Sequence, residues 1–272
     1  NTYNEHFTIY DNTKLSPKFV SDLENEYRGT IYFERWILGN WVKTEGLVYP
    51  LFRREKHYLT PEEFSKRYGL HRIRYCIIGG DGANTNDATT LQPLAIMENG
   101  QAVRLKPFYH NPKVNGQLSN EQLVPYIKRY LSDLCTNYKL LQNGVQFCMP
   151  IDCAAADLIL TLSYNLPQFY NVQKFTKKDI LQTTDIVNNA LGRNAIVILN
   201  EGNFYNYVRE QFEEKDDQLV IDLESMVWDK DNKGYDPEVP NDCADAFRYA
   251  VATYYTNPEN LWETPSMTAY YK

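Results

Sequence analysis

The chain has 272 residues, of which 43% are hydrophobic and 23% are charged, and its formal net charge is −7. This length and composition predict a globular protein with one large core or two smaller ones. The acidic balance argues against a protein that wraps nucleic acid by bulk electrostatic attraction, although metal ions would let an acidic site approach phosphates.

The cysteines and histidines indicate neither a disulfide framework nor a zinc site. The five cysteines are odd in number and form no CxxC pair, and the four histidines are scattered. Neither a membrane-spanning apolar run nor a signal peptide is evident, so we expect a cytoplasmic protein without membrane contact. The chain begins at Asn1 without an initiator Met, which is compatible with a fragment of a longer protein.

The first part of the chain differs in character from the rest. Residues 1–70 are aromatic, loop-rich and weakly periodic, which is typical of an extended entry segment or a subdomain. After Arg72, "IRYCIIGGD" predicts a strand that ends at Asp81. The segment "TTLQPLAIMENGQAVRLKPFYH" predicts two strands around Asn99-Gly100, a pair suited to a type I′ turn. Three consecutive antiparallel strands are therefore expected.

Helices and strands then alternate along the chain. A Ser/Asn cap followed by apolar residues at helical spacing predicts a helix over residues 119–135. The segment "GVQFCMPID" predicts a fourth strand ending at Asp152, and "AAADLILTLSYNL" predicts a second helix. The later predicted elements are a helix over 179–191, a strand over 195–199, a helix over 203–214 and a closing helix from Asp242.

This order of elements predicts an α/β fold of the ribonuclease-H-like kind, a mixed β-sheet flanked by helices. In that arrangement the fourth strand lies parallel beside the first. The carboxyl ends of the two strands then bring Asp81 and Asp152 into one cleft. A closing helix packed across the same edge would add Asp245 and Asp242.

Carboxylates this close together repel one another and raise each other's pKa unless a cation neutralises them. Oxygen ligands without a nearby His or Cys pattern favour Mg²⁺ or Mn²⁺. Two such ions, roughly 3.5–4 Å apart, would activate a water and stabilise the leaving oxygen of a phosphodiester. The candidate chemistry is hydrolytic cleavage of nucleic acid, with Asp81, Asp152, Asp245 and Asp242 as the candidate catalytic metal ligands.

Each of these aspartates also has a purely structural interpretation. Asp81 lies among glycines and asparagines, where aspartate often forms a turn. Asp152 precedes a helix that it would cap, and Asp242 and Asp245 suit the positive end of a helix dipole. Their common position at strand and helix ends that one fold brings together favours the site.

Two further groups of side chains have ordinary interpretations. We interpret the tyrosines of the last helix, including Tyr249, as packing residues rather than base-stacking ones. Five basic side chains form either a phosphate-contacting rim or, more commonly for such residues, a solvated surface: Lys174, Lys177, Lys178, Arg193 and Arg209.

Six segments carry a resemblance to a known family. They are "HFTIYDNTKLS", "YFERWILGNWVKTEGLVYPLF", "IIGGDGANTNDATT", "PIDCAAADLI", "ILQTTDIVNNAL" and "NDCADAFRYAV". In order and spacing they resemble the large terminase subunits of tailed bacteriophages, specifically their carboxyl-terminal nuclease domain, over nearly all of the chain. The resemblance implies that Asp81, Asp152 and Asp245 are metal ligands. Many members carry a histidine at the position of Asp242, whose role as ligand or helper stays open, and Ala83 stands where the commoner motif has its second glycine.

The resemblance also implies a domain organisation and partners. Residues 1–70 would join an ATPase motor to the nuclease, and residues 71–272 would form the nuclease. The chain contains no GxxxxGK[ST] phosphate loop, so the motor itself is not expected in it. The implied partners are double-stranded DNA, the portal protein, the small terminase subunit and the ATPase domain of the same full-length chain, in the host cytoplasm at the procapsid portal.

Two other functions remain open at this stage. An actin-like or sugar-kinase-like ATPase shares the three-strand core, but it needs a second glycine-rich phosphate loop and an adenosine pocket. A catalytically silent domain that docks on the portal or on DNA would need no metal at all.

Overall fold

The computed structural model describes residues 6–27, 37–39, 46–69, 71–82, 88–175, 179–229, 234–236 and 239–256. The strands in these ranges are β1 (Tyr58–Leu59), β2 (Ile73–Asp81), β3 (Thr89–Met97), β4 (Ala102–Arg104), β5 (Phe108–His110), β6 (Gln146–Asp152), β7 (Val172–Phe175), β8 (Ile196–Leu199), β9 (Phe204–Asn206) and β10 (Gln211–Glu213). The helices are α1 (Pro17–Tyr27), α2 (Arg54–His57), α3 (Pro61–Tyr68), α4 (Pro112–Asn115), α5 (Asn120–Asn137), α6 (Ala156–Asn165), α7 (Ile180–Gly192), α8 (Gln218–Ser225) and α9 (Asp242–Thr256).

A mixed β-sheet organises these elements. Its strand order is β1-β8-β4-β3-β2-β6-β7, and β5 also pairs with β3. Strands β2, β3 and β4 form an antiparallel meander, and β6 returns parallel to β2. Both features match the arrangement expected from the order of predicted elements, so the ribonuclease-H-like fold class is confirmed.

Helices cover both faces of the sheet. Along β2, Cys76 and Ile78 belong to one core cluster and Ile77 belongs to the other. Because successive side chains of a strand point to opposite faces, the two clusters lie on opposite sides of the sheet. Helices α5 and α6 contribute to the first cluster, and α7, α8 and α9 contribute to the second.

The turn between β3 and β4 differs from the predicted type I′ turn. Gly100 has φ +84°, whereas Asn99 is not among the residues with positive φ. A type I′ turn needs positive φ at both central residues. Instead the N–H of Gly100 donates to the carbonyl of Met97 at 3.0 Å, and only the glycine takes the left-handed conformation.

The predicted helix over 203–214 is wrong, because this segment forms the antiparallel hairpin of β9 and β10. Tyr205 and Phe212 are cross-strand partners, and their ring centroids lie 5.0 Å apart. The side chain of Asn206 accepts hydrogen bonds from the backbone N–H groups of Val208 and Arg209, which shapes the turn. Aromatic cross-strand packing and an Asn turn therefore override the helical spacing. Helix α8 was not predicted.

The amino-terminal part of the described chain contributes to the same sheet and core. Strand β1 pairs parallel with β8. Val48, Tyr49 and Phe52 are buried in the core cluster that α9 shares. The division of the chain into 1–70 and 71–272 stays a prediction.

Candidate active site

Two of the predicted site residues end neighbouring parallel strands. Asp81 is the last residue of β2, and Asp152 is the last residue of β6. Gly80 and Ile151, the residues just before them, are partners in the parallel pairing. Asp81 and Asp152 therefore lie side by side at one edge of the sheet, as expected from the sequence.

Helix α9 brings the other two aspartates to this edge. The helix lies against β2, and a Cβ atom added to Gly79 would stand 1.8 Å from the backbone oxygen of Ala246. The first turn of α9 contains Asp242 and Asp245. Asp242 Oδ2 accepts a hydrogen bond of 3.3 Å from the N–H of Ala88, which directly precedes β3. Glycine in β2 thus permits the close approach that places this turn beside the strand ends.

The four carboxylates interact electrostatically. Burial raises the pKa of Asp81 well above its ordinary value, and repulsion from Asp245, Asp242 and Asp152 raises it further. Burial also raises the pKa of Asp245, against the opposing effect of Arg248. Burial and the neighbouring carboxylates therefore both disfavour a charge on Asp81, which is the condition that a bound cation relieves.

The four aspartates are not grouped as a complete metal-binding site. Among the residues that the structure describes, no three His, Cys, Asp or Glu side chains are grouped tightly enough to hold a metal ion. The charges and the oxygen donors of the four aspartates fit a hard divalent cation.

Local hydrogen bonds fix the orientation of two carboxylates. Asp81 Oδ1 accepts from the N–H of Gly82 at 2.9 Å. Asp152 Oδ1 accepts from the N–H of Ala154 at 3.0 Å, and its Oδ2 accepts from the hydroxyl of Tyr249 at 3.2 Å. The N-cap residue of α6 is Ala155 and not Asp152. Asp152 thus forms a turn before the helix and does not cap it.

Sequence reasoning missed two residues of this site. Arg248 donates to Asp245 Oδ1 from both Nε (3.2 Å) and Nη2 (2.8 Å). Tyr249, interpreted from sequence as packing, also binds Asp152 through its hydroxyl. They follow Asp245 by three and four residues, and this spacing places them on the same helical face. This spacing was the feature of the sequence from which both residues could have been predicted to lie near the site.

A third residue that no motif marks supports the start of α9. Asp222 in α8 is 1% exposed, and its Oδ2 accepts a 3.2 Å hydrogen bond from the N–H of Ala244. It therefore satisfies a backbone donor in the first turn of α9 from a distant position in the chain.

The basic side chains considered as a rim lie on separate elements. Lys174 is exposed on β7, Arg193 follows α7, and Arg209 lies between β9 and β10 near Glu213. Lys177, Lys178 and the loop position Ala83 lie outside the described residues. None of the described helices is long and apolar enough to cross a membrane.

Comparisons with known proteins point to one family. Residues 1–56 match the family model for the N-terminal part of the T4-like type of terminase large subunit. No curated protein sequence matches the chain. The large terminase of a thermophilic bacteriophage superposes with a TM-score of 0.60 at 23% identity, over 92% of this chain and 54% of that one. The structure of the same terminase in complex with ADP gives 0.61 at 22% identity, over 93% and 55%.

A separate nuclease structure, the large terminase nuclease of thermophilic phage G20c, aligns over 78% of this chain and 98% of its own, with 13% identity and a TM-score of 0.48. The present chain spans about half the length of the large terminase that superposes at 0.60. In sequence over residues 1–56 and in fold over most of its length, the chain resembles terminase large subunits, which confirms the resemblance that its motifs indicated.

Proposed function

We propose that this chain is the nuclease part of a terminase large subunit, a metal-dependent endonuclease that cuts concatemeric phage DNA during genome packaging. The observation that carries the proposal is geometric: Asp81 and Asp152 end paired parallel strands, and the first turn of the helix packed against β2 holds Asp242 and Asp245. Carboxylates crowded in this way repel one another, and a bound divalent cation relieves that repulsion.

Asp81, Asp152 and Asp245 would hold the metal, Mg²⁺ or Mn²⁺, and Asp242 would either complete the set or support it. Two such ions, when bound, supply an activated water and stabilise the leaving oxygen of the phosphodiester. The protein's own part is to carry its carboxylates on rigid elements, two strand ends and one helix, so that only side-chain movement is needed to bind the metal.

The proposed substrate is double-stranded DNA, delivered by partners rather than captured by charge. With a net charge of −7, the isolated chain should bind a duplex weakly. Portal protein, small terminase subunit and the ATPase domain of the full-length chain would supply positioning, in the host cytoplasm at the procapsid. We expect cleavage by the isolated chain at low salt or at high protein concentration.

A catalytically silent docking domain is the second candidate, because the described side chains do not already surround a metal position. Supercoiled plasmid incubated at low salt with Mn²⁺, with and without chelator, separates the two. The nuclease proposal expects chelator-sensitive nicking and linearisation that needs no ATP. A requirement for ATP would favour the ATPase alternative. A plasmid that stays intact with every divalent metal ion tested would favour a catalytically silent docking domain.

Variants that remove one carboxylate charge identify the aspartates that cleavage requires. Asp81→Asn, Asp152→Asn and Asp245→Asn should each abolish cleavage, because the amide removes a metal ligand's charge at nearly constant volume. Asp242→Asn should cost less. Asp157→Asn is the matched control, since Asp157 is exposed in the first turn of α6 and its Oδ2 accepts a hydrogen bond from Asn120 at 2.7 Å. Full activity of any folded variant of the first three would remove that residue from the site.

A further inference from the structure

The face of α9 that meets the candidate site carries more than aspartates. Asp245, Arg248 and Tyr249 follow one another at helical spacing, and the latter two are 5% and 4% exposed. A buried arginine and a buried tyrosine are costly to desolvate unless their polar atoms are bonded. Their partners therefore indicate what they do.

Arg248 hydrogen-bonds to only one carboxylate oxygen of Asp245. Nε and Nη2 both donate to Oδ1, at 3.2 and 2.8 Å, and neither bonds to Oδ2. The remaining donor group, Nη1, binds Thr183 Oγ1 on α7 at 2.8 Å. The guanidinium also lies over the ring of Tyr249, 4.9 Å from its centroid. Because its guanidinium contacts Asp245, Thr183 and the ring of Tyr249, the side chain of Arg248 is held in one position beside Asp245.

Tyr249 performs the equivalent task for the neighbouring carboxylate. Its hydroxyl donates to Asp152 Oδ2 at 3.2 Å. Its ring packs on Phe175, with centroids 4.6 Å apart. Phe175 is the strand partner of Asp152 in the β6 and β7 pairing. The tyrosine is thus fixed by the same strands whose carboxylate it orients.

We propose that Arg248 and Tyr249 are positioning residues of the proposed nuclease site. Arg248 locks the rotamer of Asp245 through Oδ1 and offsets one of the four negative charges, while Tyr249 locks Asp152. The inference rests on the proposed function, because it assigns these residues a role toward the same metal-binding carboxylates. Groups that orient metal ligands typically change metal affinity or activity by ~10–100-fold when removed.

The test compares Arg248→Gln, Arg248→Lys and Tyr249→Phe with the wild type, and uses Tyr254→Phe as the control. Tyr254 lies on the same helix, is half-buried and contacts Tyr255. For each protein we would measure Mn²⁺ affinity by the loss of the free Mn²⁺ signal in electron paramagnetic resonance, the Tm, and plasmid cleavage as a function of Mn²⁺ concentration.

We expect Arg248→Gln and Tyr249→Phe to lower the cleavage rate at saturating Mn²⁺ by at least ~10-fold, with the Tm far less affected. Arg248→Lys should recover part of the rate, because an ammonium keeps the charge but cannot bond Asp245 and Thr183 in the same geometry. Tyr254→Phe should resemble the wild type. Wild-type rates in folded Arg248→Gln and Tyr249→Phe would overturn the inference, and so would losses that merely follow Tm with no rescue by lysine.

The outcome also separates this inference from the proposed function. If the wild type binds Mn²⁺ but cuts nothing, nuclease activity is refuted, and the positioning role is then judged by metal affinity alone. The positioning role is supported if Arg248→Gln and Tyr249→Phe change the Mn²⁺ Kd at least threefold while Tyr254→Phe does not. It is refuted if all four variants bind Mn²⁺ with the wild-type Kd. If the wild type neither binds Mn²⁺ nor cuts DNA, both proposals are refuted.

Discussion

Gly79 in β2 and Ala246 in α9 touch backbone to backbone. A Cβ atom at position 79 would lie 1.8 Å from the carbonyl oxygen of Ala246 and 3.0 Å from the N–H nitrogen of Ala250. No side-chain rotation relieves an overlap with backbone atoms. This contact sets how near the helix that carries Asp245 comes to the strand that carries Asp81.

Gly79→Ala should therefore destabilise the protein and disturb the site together. Overpacking typically costs about 1–3 kcal/mol, and a backbone overlap belongs at the upper end. For a chain of this size Tm should fall by about 2–4 °C for each kcal/mol. Thermal unfolding measures the loss, with Gly234→Ala as the control because, among the residues that the structure describes, its Cβ would meet only Asp229 Oδ2, at 3.4 Å. Equal Tm values for the two variants would contradict the contact.

Divalent metal should stabilise the folded protein. The unfolded chain holds Asp81, Asp152 and the Asp242–Asp245 pair far apart from one another, so Mn²⁺ should bind the native form preferentially and raise stability by roughly 2.7 kcal/mol at a hundredfold excess over Kd. Mn²⁺ should act more strongly than Mg²⁺. Asp152→Asn should raise the metal-free Tm slightly and shrink the Mn²⁺ response. Scanning fluorimetry with MnCl₂ measures both, and an undiminished response would show that Asp152 does not contribute to the metal site.

Asp222 should make the protein less stable as pH rises. Burial raises its pKa from 3.8 to about 7. A carboxyl whose pKa is raised on folding binds more protons in the native state, so its contribution is complete below pH 3.8 and is lost as pH rises through about 7. Asp222→Asn removes this titration while keeping one acceptor oxygen for the N–H of Ala244.

Urea unfolding of wild type and Asp222→Asn at several pH values between 4 and 8 tests this linkage. The stability of the variant relative to the wild type should increase across the range. The exposed Asp157→Asn serves again as the control. Parallel curves for wild type and Asp222→Asn would mean that the carboxyl is charged throughout and that its pKa is not raised.

His57 should make the protein less stable as pH falls, which is opposite to the effect of Asp222. It is 2% exposed, its Nδ1 accepts from the N–H of Arg53 at 2.9 Å, and its Nε2 bonds the carbonyl of Leu191 at 3.0 Å. These partners require a neutral ring, and burial lowers its pKa below 6.5. The unfolded chain then takes up a proton more readily, so stability is complete above pH 6.5 and falls as pH drops below it.

His57→Gln should flatten the acid side of the stability curve, because glutamine cannot be protonated but can donate to the carbonyl of Leu191. Urea unfolding between pH 5 and 8 measures the slope. Burial also lowers the pKa of His110, so part of the acid sensitivity should remain. An unchanged slope in the variant would exclude His57 as its source.

The sequence by itself indicated the central strands of the sheet and its candidate carboxylates, although not the outer strands β1 and β7. Strands β2 and β6 each contain an uncharged, mainly apolar run that leads directly to a final aspartate, and this pattern needs no distant information. The order of strands and helices then limits the connections to few topologies, so the neighbourhood of Asp81 and Asp152 was predictable. The spacing of Asp242 and Asp245 fixed their common helical turn in the same way.

Other features depended on contacts between residues far apart in the chain. The hairpin of β9 and β10 is stabilised by cross-strand rings, such as Tyr205 on Phe212, that local spacing does not reveal. Arg248 bonds Thr183, and Asp222 bonds Ala244, through pairings that only packing of α7 and α8 against α9 creates. Local propensity and periodicity act over one or two turns, whereas the orientation of each carboxylate depends on which distant donor the packed core places beside it. The sequence therefore identified which acids lie at the sheet edge, and the tertiary structure decided which neighbours hold them there.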